Sequence, residues 1–237
     1  MRSALVLAWK ETRAYYVSPI AYVITAAFLG LTGHFFVTSI TEPVPEASLR
    51  GMLTPITFGL VIWAPMVSMR LFAEEQKLGT LELLLTAPVR DWEIVAGKFV
   101  ALAAMLLGII APTLVYVLLL FRFADPDVGP LVTGYLGLVL YGCAAGSLGL
   151  FVSSLTSSQI VAGAVAAVAL FFLTLAAQAS DLIRGLPATL LEWVSLPSHY
   201  TSFVEGVVAV EHLAYFVTFI GLFLLLTTLS LEARRWR

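Results

Sequence analysis

The side chains able to do chemistry are few. They are three histidines (His34, His199 and His212), one cysteine (Cys143), and Ser147 in the run Ala145-Gly146-Ser147-Leu148-Gly149. A metal centre needs its donors at ligand spacing, but no two histidines stand four apart, and no cysteine or acidic cluster joins them within an apolar run. Ser147 would act as a nucleophile only beside a positioned base. Neither His34 nor His212 lies in a motif that supplies one, and Ala145 replaces the first glycine of a nucleophile elbow. A phosphate-cradling loop needs G-x-x-x-x-G-K-[ST]; Gly79-Thr80 and Gly97-Lys98 are fragments without that pattern. A proton-driven carrier usually keeps carboxylates inside its spans, and none lies within the spans read below. The sequence therefore points to no catalytic residue, no metal and no cofactor of its own. A membrane-embedded hydrolase and a proton-driven carrier stand as the rival readings. Cys143 reads as a packing residue, and His34 as paired in the bundle or lining a polar path.

The elements that would position any site are set by hydropathy. Of the 237 residues, 60% are hydrophobic and 12% charged, against about 45–50% and 25% in a soluble domain. The charges sit in islands between apolar runs, each near the roughly 20 residues a bilayer crossing needs. The expected fold is an all-α polytopic membrane protein with six transmembrane helices, at about 20–40, 53–69, 99–121, 131–153, 160–179 and 213–231. Ser18-Pro19 and Thr54-Pro55 read as helix starts, and Pro65 and Pro112 as kinks. The polar run 153–159 must divide an otherwise uncharged stretch. Residues 1–17 read as an N-terminal amphipathic interfacial helix, with Leu5, Trp9 and Tyr16 on one face and Lys10 and Arg13 reaching headgroups. Residues 18–237 then form a single transmembrane domain. The apolar connection 180–211, which holds Trp193 and Tyr200, predicts short helices at the outer interface.

Orientation follows the basic residues. Arg2, Lys10, Arg13, Arg70, Lys77, Arg90, Lys98, Arg234, Arg235 and Arg237 fall on one side of this topology, and Arg50, Arg122 and Arg184 on the other. Both ends of the chain are thereby expected in the cytoplasm. A net charge of −2 suggests no nucleic-acid partner. Between spans two and three, Gly79 suits the residue after a helix end. Thr80, Leu81 and Glu82 can begin a short helix with Leu81, Leu84 and Leu85 on one face, which Pro88 stops. Asp91 reads as the cap of the next helix. Gly142, Gly146 and Gly149, and Ala162, Gly163 and Ala166, are small-residue stripes for close helix packing.

The cytoplasmic segment Phe72-Ala73-Glu74-Glu75, Gly79-Thr80-Leu81-Glu82, Ala87-Pro88-Val89 and Gly97-Lys98 resembles the signature of ABC-2-type ABC transporter permeases. Ser18-Pro19-Ile20-Ala21-Tyr22, Ser195-Leu196, His199-Tyr200, Glu205-Gly206-Val207 and Leu231-Glu232-Ala233-Arg234-Arg235-Trp236 extend the likeness along the chain. It is most similar to the gliding-motility GldF-like branch and to NosY-type permeases. The resemblance implies the permease subunit of an exporter in the bacterial inner membrane. It implies a homodimer or heterodimer with a second permease copy, and a separate ABC ATPase that carries the ATP and Mg. An auxiliary extracytoplasmic protein belongs to some members. It further implies that Gly79–Pro88 forms a coupling helix entering a groove on the ATPase, with Glu74, Glu75 and Glu82 available to basic groups there. The turn 154–159 would be a smaller contact. The alanine-rich fifth span would be a candidate for the dimer seam. Cargo is not implied.

Overall fold

The structure, a computed structural model, describes residues 2–41, 48–86, 88–182 and 186–235. Glu42, Glu46, Ala87, Arg184, Trp236 and Arg237 lie outside the described residues, as do the side chains of Arg2, Leu85, Asp181 and Pro187. Among the described residues every regular element is helical. The helices are α1 (Arg2–Val17), α2 (Pro19–Ile40), α3 (Arg50–Ser68), α4 (Arg70–Leu78), α5 (Thr80–Thr86), α6 (Asp91–Ile110), α7 (Leu114–Phe123), α8 (Val128–Leu155), α9 (Gln159–Leu182), α10 (Leu186–Val194), α11 (Leu196–Val204) and α12 (Val210–Arg235). Six helical stretches are long and apolar enough to cross a membrane: Pro19–Ile40, Arg50–Leu78, Asp91–Phe123, Val128–Leu155, Gln159–Ala179 and Val210–Arg235.

Local chemistry explains most boundaries. Pro112 interrupts the third stretch with a short 3-10 turn, Ala111–Thr113, because its ring cannot continue the helical ladder. Asp127 caps α8, its Oδ1 accepting the Gly129 amide at 3.0 Å. Gly79 ends α4 in the left-handed region, at φ 70°, where a side chain would be strained. Two helix starts differ from the sequence reading. α3 begins at Arg50, a turn before Thr54-Pro55, leaving Pro55 inside the helix. Burial of Leu49, Met52, Leu53 and Ile56 favours the extra turn over the local Pro signal. Asp91 is the first helical residue; Arg90, with extended backbone, holds the cap position without a side-chain bond.

α8 is the central post, packed along α3, α6, α9, α11 and α12. Its glycines allow that approach. A Cβ at Gly146 would stand 2.6 Å from Leu102 Cδ2, and one at Gly149 would collide with Ser68 Oγ. Gly142 faces Leu106 at an ordinary 3.5 Å. On α9, Ala162 and Ala166 are buried, and a Cβ at Gly163 would meet Met69 Sδ at 3.0 Å. The alanine face of the fifth span is therefore spent inside this chain. The face α9 leaves open carries Ile160, Val161, Val165, Val168, Phe171 and Phe172. His34 is exposed on α2 rather than held within the bundle. Its neighbours at 28, 32 and 36 took the inward stripe.

Candidate functional site

The end of the bundle where α1, α4, α5 and the start of α6 gather holds a network of polar side chains from four helices. α4 continues from α3 through Met69, but the ladder is broken there. Ser153 Oγ, from α8, accepts the Phe72 and Ala73 amides at 3.2 and 3.0 Å and donates to the Met69 carbonyl at 2.7 Å. The free amides of a helix's first turn are thus satisfied by a side chain from another helix, an insertion of the kind that kinks helices. Gln76 Nε2 donates to the Ser154 and Ser153 carbonyls at 2.9 and 3.3 Å. The last turn of α8 is thereby bound to α4.

Lys98 lies beneath α4 with no exposed surface. Its Nζ stands 2.6 Å from the Leu71 carbonyl, 2.8 Å from Glu75 Oε1 and 3.4 Å from Glu11 Oε1. The Phe72 ring faces it with its centroid 5.0 Å away. Isolated burial of an ammonium costs several kcal/mol, so three acceptors and a ring face are what make this placement possible. The acceptors are distant in sequence, with Glu11 87 positions away. α1 supplies its carboxylate because it packs lengthwise on α6. Ala4, Leu7, Ala8, Glu11 and Tyr15 turn inward, and a Cβ at Gly97 would lie 2.8 Å from the Ala4 carbonyl. Tyr15 donates to the Val67 carbonyl at 2.7 Å. Burial, opposed by nearby Arg70, holds its phenol far above the ordinary range, so it remains a neutral donor.

The residues singled out from sequence divide here into outward and inward groups. Trp9, Lys10 and Arg13 are exposed on α1, beside exposed Leu5 and Tyr16. Glu74 is half-buried and pairs with Arg70 at 3.1 Å. Glu75 is turned in to Lys98, so its Oε1 is engaged within the chain. Gly79, Thr80, Glu82 and Pro88 are exposed, Leu81 is buried and Leu84 half-buried. The sequence reading missed Leu78 and Leu83, which stand out at 67% and 72% exposure. It also missed Lys98, Glu11, Ser153 and Gln76 as one network. Gly97-Lys98 was visible as a motif, but not its partners. A groove of about 490 Å³ runs between α1, α4 and α5, lined by Lys10, Tyr15, Arg70, Glu74, Glu75 and Leu83 among others.

No hydrolytic site forms around Ser147, which is buried with its hydroxyl donated to the Ala144 carbonyl at 2.7 Å. Among the described residues no group of three or more His, Cys, Asp and Glu could hold a metal ion. At the opposite end, α11 places His199 Nδ1 2.9 Å from the Ser195 carbonyl and stacks its ring on Tyr215, with centroids 3.7 Å apart. Burial pushes its pKa below 6.5, and His212 adds to this, while the Ser195 carbonyl, Glu192 and Glu211 oppose it. The unfolded chain takes up the proton first on acidification. Stability is therefore full above about 6.5 and declines as pH falls below that value. The melting midpoint of the solubilised protein should drop between about pH 7.5 and 5, and the drop should shrink in His199→Phe. An unchanged slope in that variant would contradict this assignment.

Six apolar helical stretches around a shared core, with an interhelical polar network at one end, define a multi-pass α-helical membrane protein. The family model described as "ABC-2 family transporter protein" matches residues 5–234, and the chain belongs to that family of transporter permeases. It is similar to the "Probable multidrug ABC transporter permease YbhR" of Escherichia coli strain K12 and to the protein of that name in strain O157:H7, at 29% identity over 162 residues in each case. The matched stretch is 68% of this chain but 42% of either relative's length.

Proposed function

We propose that the chain is the membrane subunit of an ATP-driven exporter and receives its driving force from a separate ABC ATPase docked on α5. The observation that carries this reading is the presentation of α5. A left-handed glycine sets it off from α4, Leu81 anchors it in the core, and Leu78 and Leu83 face outward beside Glu82. Exposed leucines rimmed by charge suit insertion into a partner's groove. Glu82 remains available to basic groups there, whereas Glu74 is paired with Arg70 and Glu75 serves the interior. ATP and Mg²⁺ belong to the ATPase, and this chain performs no hydrolysis.

Membership of the family supports the bacterial inner membrane, and the distribution of basic residues supports both ends of the chain and α5 in the cytoplasm. The exposed faces of α2 and α9 suit a second permease copy, and Trp9, Lys10 and Arg13 suit the lipid interface. The GldF-like branch rests on the motif residues alone. The relatives' name supports drug-like molecules as the first cargo class to try.

Co-purification with ABC ATPases co-expressed from the same genome tests the reading. Wild type should retain the ATPase, and Leu83→Asp should weaken docking by at least about tenfold, as loss of a central apolar anchor does. A wild-type chain that binds no ATPase, or a Leu83→Asp chain that binds equally well, would overturn it.

A further inference from the structure

α4 lies between two attachments and a hinge. Its first turn is held to α8 by Ser153, which takes two of its amides. Its last residue passes through Gly79 into α5. Between them, Lys98 reaches up from α6. An ammonium has three N–H donors and no acceptor. Here the nearest acceptors are also three: the Leu71 carbonyl and Glu75 carboxylate on α4, and the Glu11 carboxylate on α1. The ammonium is thus engaged on two other helices, by hydrogen bonds to Leu71 and Glu11 and by the ion pair with Glu75. Packing alone does not call for a charge at this point, since apolar residues of similar volume often replace a buried ion pair at no loss of stability. What the ammonium adds is direction. It ties α4 and α1 to one atom of α6, which a methyl group cannot do. Glu75 also reaches the other way, its backbone carbonyl accepting the hydroxyl of Thr80, the first residue of α5, at 3.4 Å.

We propose that Lys98 is the positioning residue through which displacement of α5 is passed to the α6–α7 span and to α1, so that these elements move as one body when the ATPase acts. This rests on the docking reading above. In that scheme α5 is the handle, α4 the lever and Lys98 the joint. Loss of the joint leaves the handle able to bind while the span no longer follows it.

The test uses the permease with its ATPase in nanodiscs, with a nitroxide at Phe123→Cys in a Cys143→Ser background. Phe123 is exposed at the far end of α7, and Cys143 is buried. Turnover of MgATP in the presence of vanadate, which traps ADP and vanadate in the ATPase, should change the nitroxide spectrum in the otherwise wild-type chain. In Lys98→Met/Glu75→Gln, which removes the pair without stranding the Glu75 charge, the ATPase should co-purify as before. The melting midpoint should stay close to wild type, and the spectral change should fall by about tenfold, a coupling loss of ordinary size. Lys98→Arg should restore most of it. A spectrum that does not respond in the unsubstituted background, or a full response in the double variant, overturns the joint while leaving docking intact. Failure of the unsubstituted chain to bind ATPase removes both. Should the double variant not fold, Glu11→Gln keeps the Lys98–Glu75 pair and should give a partial loss; a full response there also overturns the proposal.

Discussion

Lys98→Ala should destabilise the solubilised permease by about 3–5 kcal/mol, the cost of breaking a buried ion pair from one side. The loss has two parts. The cavity left by the lysine stem removes contacts with Phe72 and its neighbours. The carboxylate of Glu75, held 2.8 Å from Nζ, loses its cation while remaining mostly shielded from water. Its Oε2 is already buried without a hydrogen-bond partner, so it cannot fall back on a second contact in place. Glu11→Gln should cost far less, because its contact is longer at 3.4 Å and the substitution leaves Lys98 its Leu71 and Glu75 partners. Melting by fluorescence-detected size exclusion would separate the two. If Lys98→Ala changed stability only by the few tenths of a kcal/mol typical of a surface charge, the burial described here would be wrong.

Gly97→Val should separate α1 from α6. The added carbon would lie 2.8 Å from the Ala4 carbonyl and 3.3 Å from Leu7 Cβ. The first of these is helix backbone, which cannot rotate aside as a side chain can. Overpacking of this kind costs about 1–3 kcal/mol. Here the relief is a shift of α1, which also draws Glu11 away from Lys98. A cysteine at Ala8, 5% exposed in the native packing, is the reporter. In a Cys143→Ser background it should resist maleimide in the Gly97 chain and react in Gly97→Val. Equal protection in both would show that α1 does not depend on this contact.

These two residues also mark how far the sequence could be read. The order of helices, the interruption at Pro112 and the left-handed Gly79 were legible because each depends on a residue and its near neighbours. The short helix after Gly79 was legible for the same reason, although the exposed Leu83 was not singled out. Lys98 read as a charge on the basic side and as part of the Gly97-Lys98 motif, with no partner indicated. Glu75 read as a group offered to a partner. Nothing within a few positions of either shows that they face each other, nor that Glu11, 87 positions from Lys98, completes the set. The break between α3 and α4 is similar: the hydroxyl that causes it is on Ser153, 84 positions from the carbonyl it engages. The alanine face of α9 had the composition of a seam between helices, but which helix fills it was decided by the position of Met69.

Apolar length, proline, glycine and the placement of basic residues by themselves determined a six-span helical membrane chain with a short helix between spans two and three. Those properties act over one helix or one turn, and the bilayer requirement is met segment by segment. Tertiary structure alone decided that α1 lies along α6, that α4 takes its cap from α8, and that a lysine is enclosed by two carboxylates. Each is a balance between the desolvation of polar groups and the bonds they make, and that balance exists only once distant segments have been brought together.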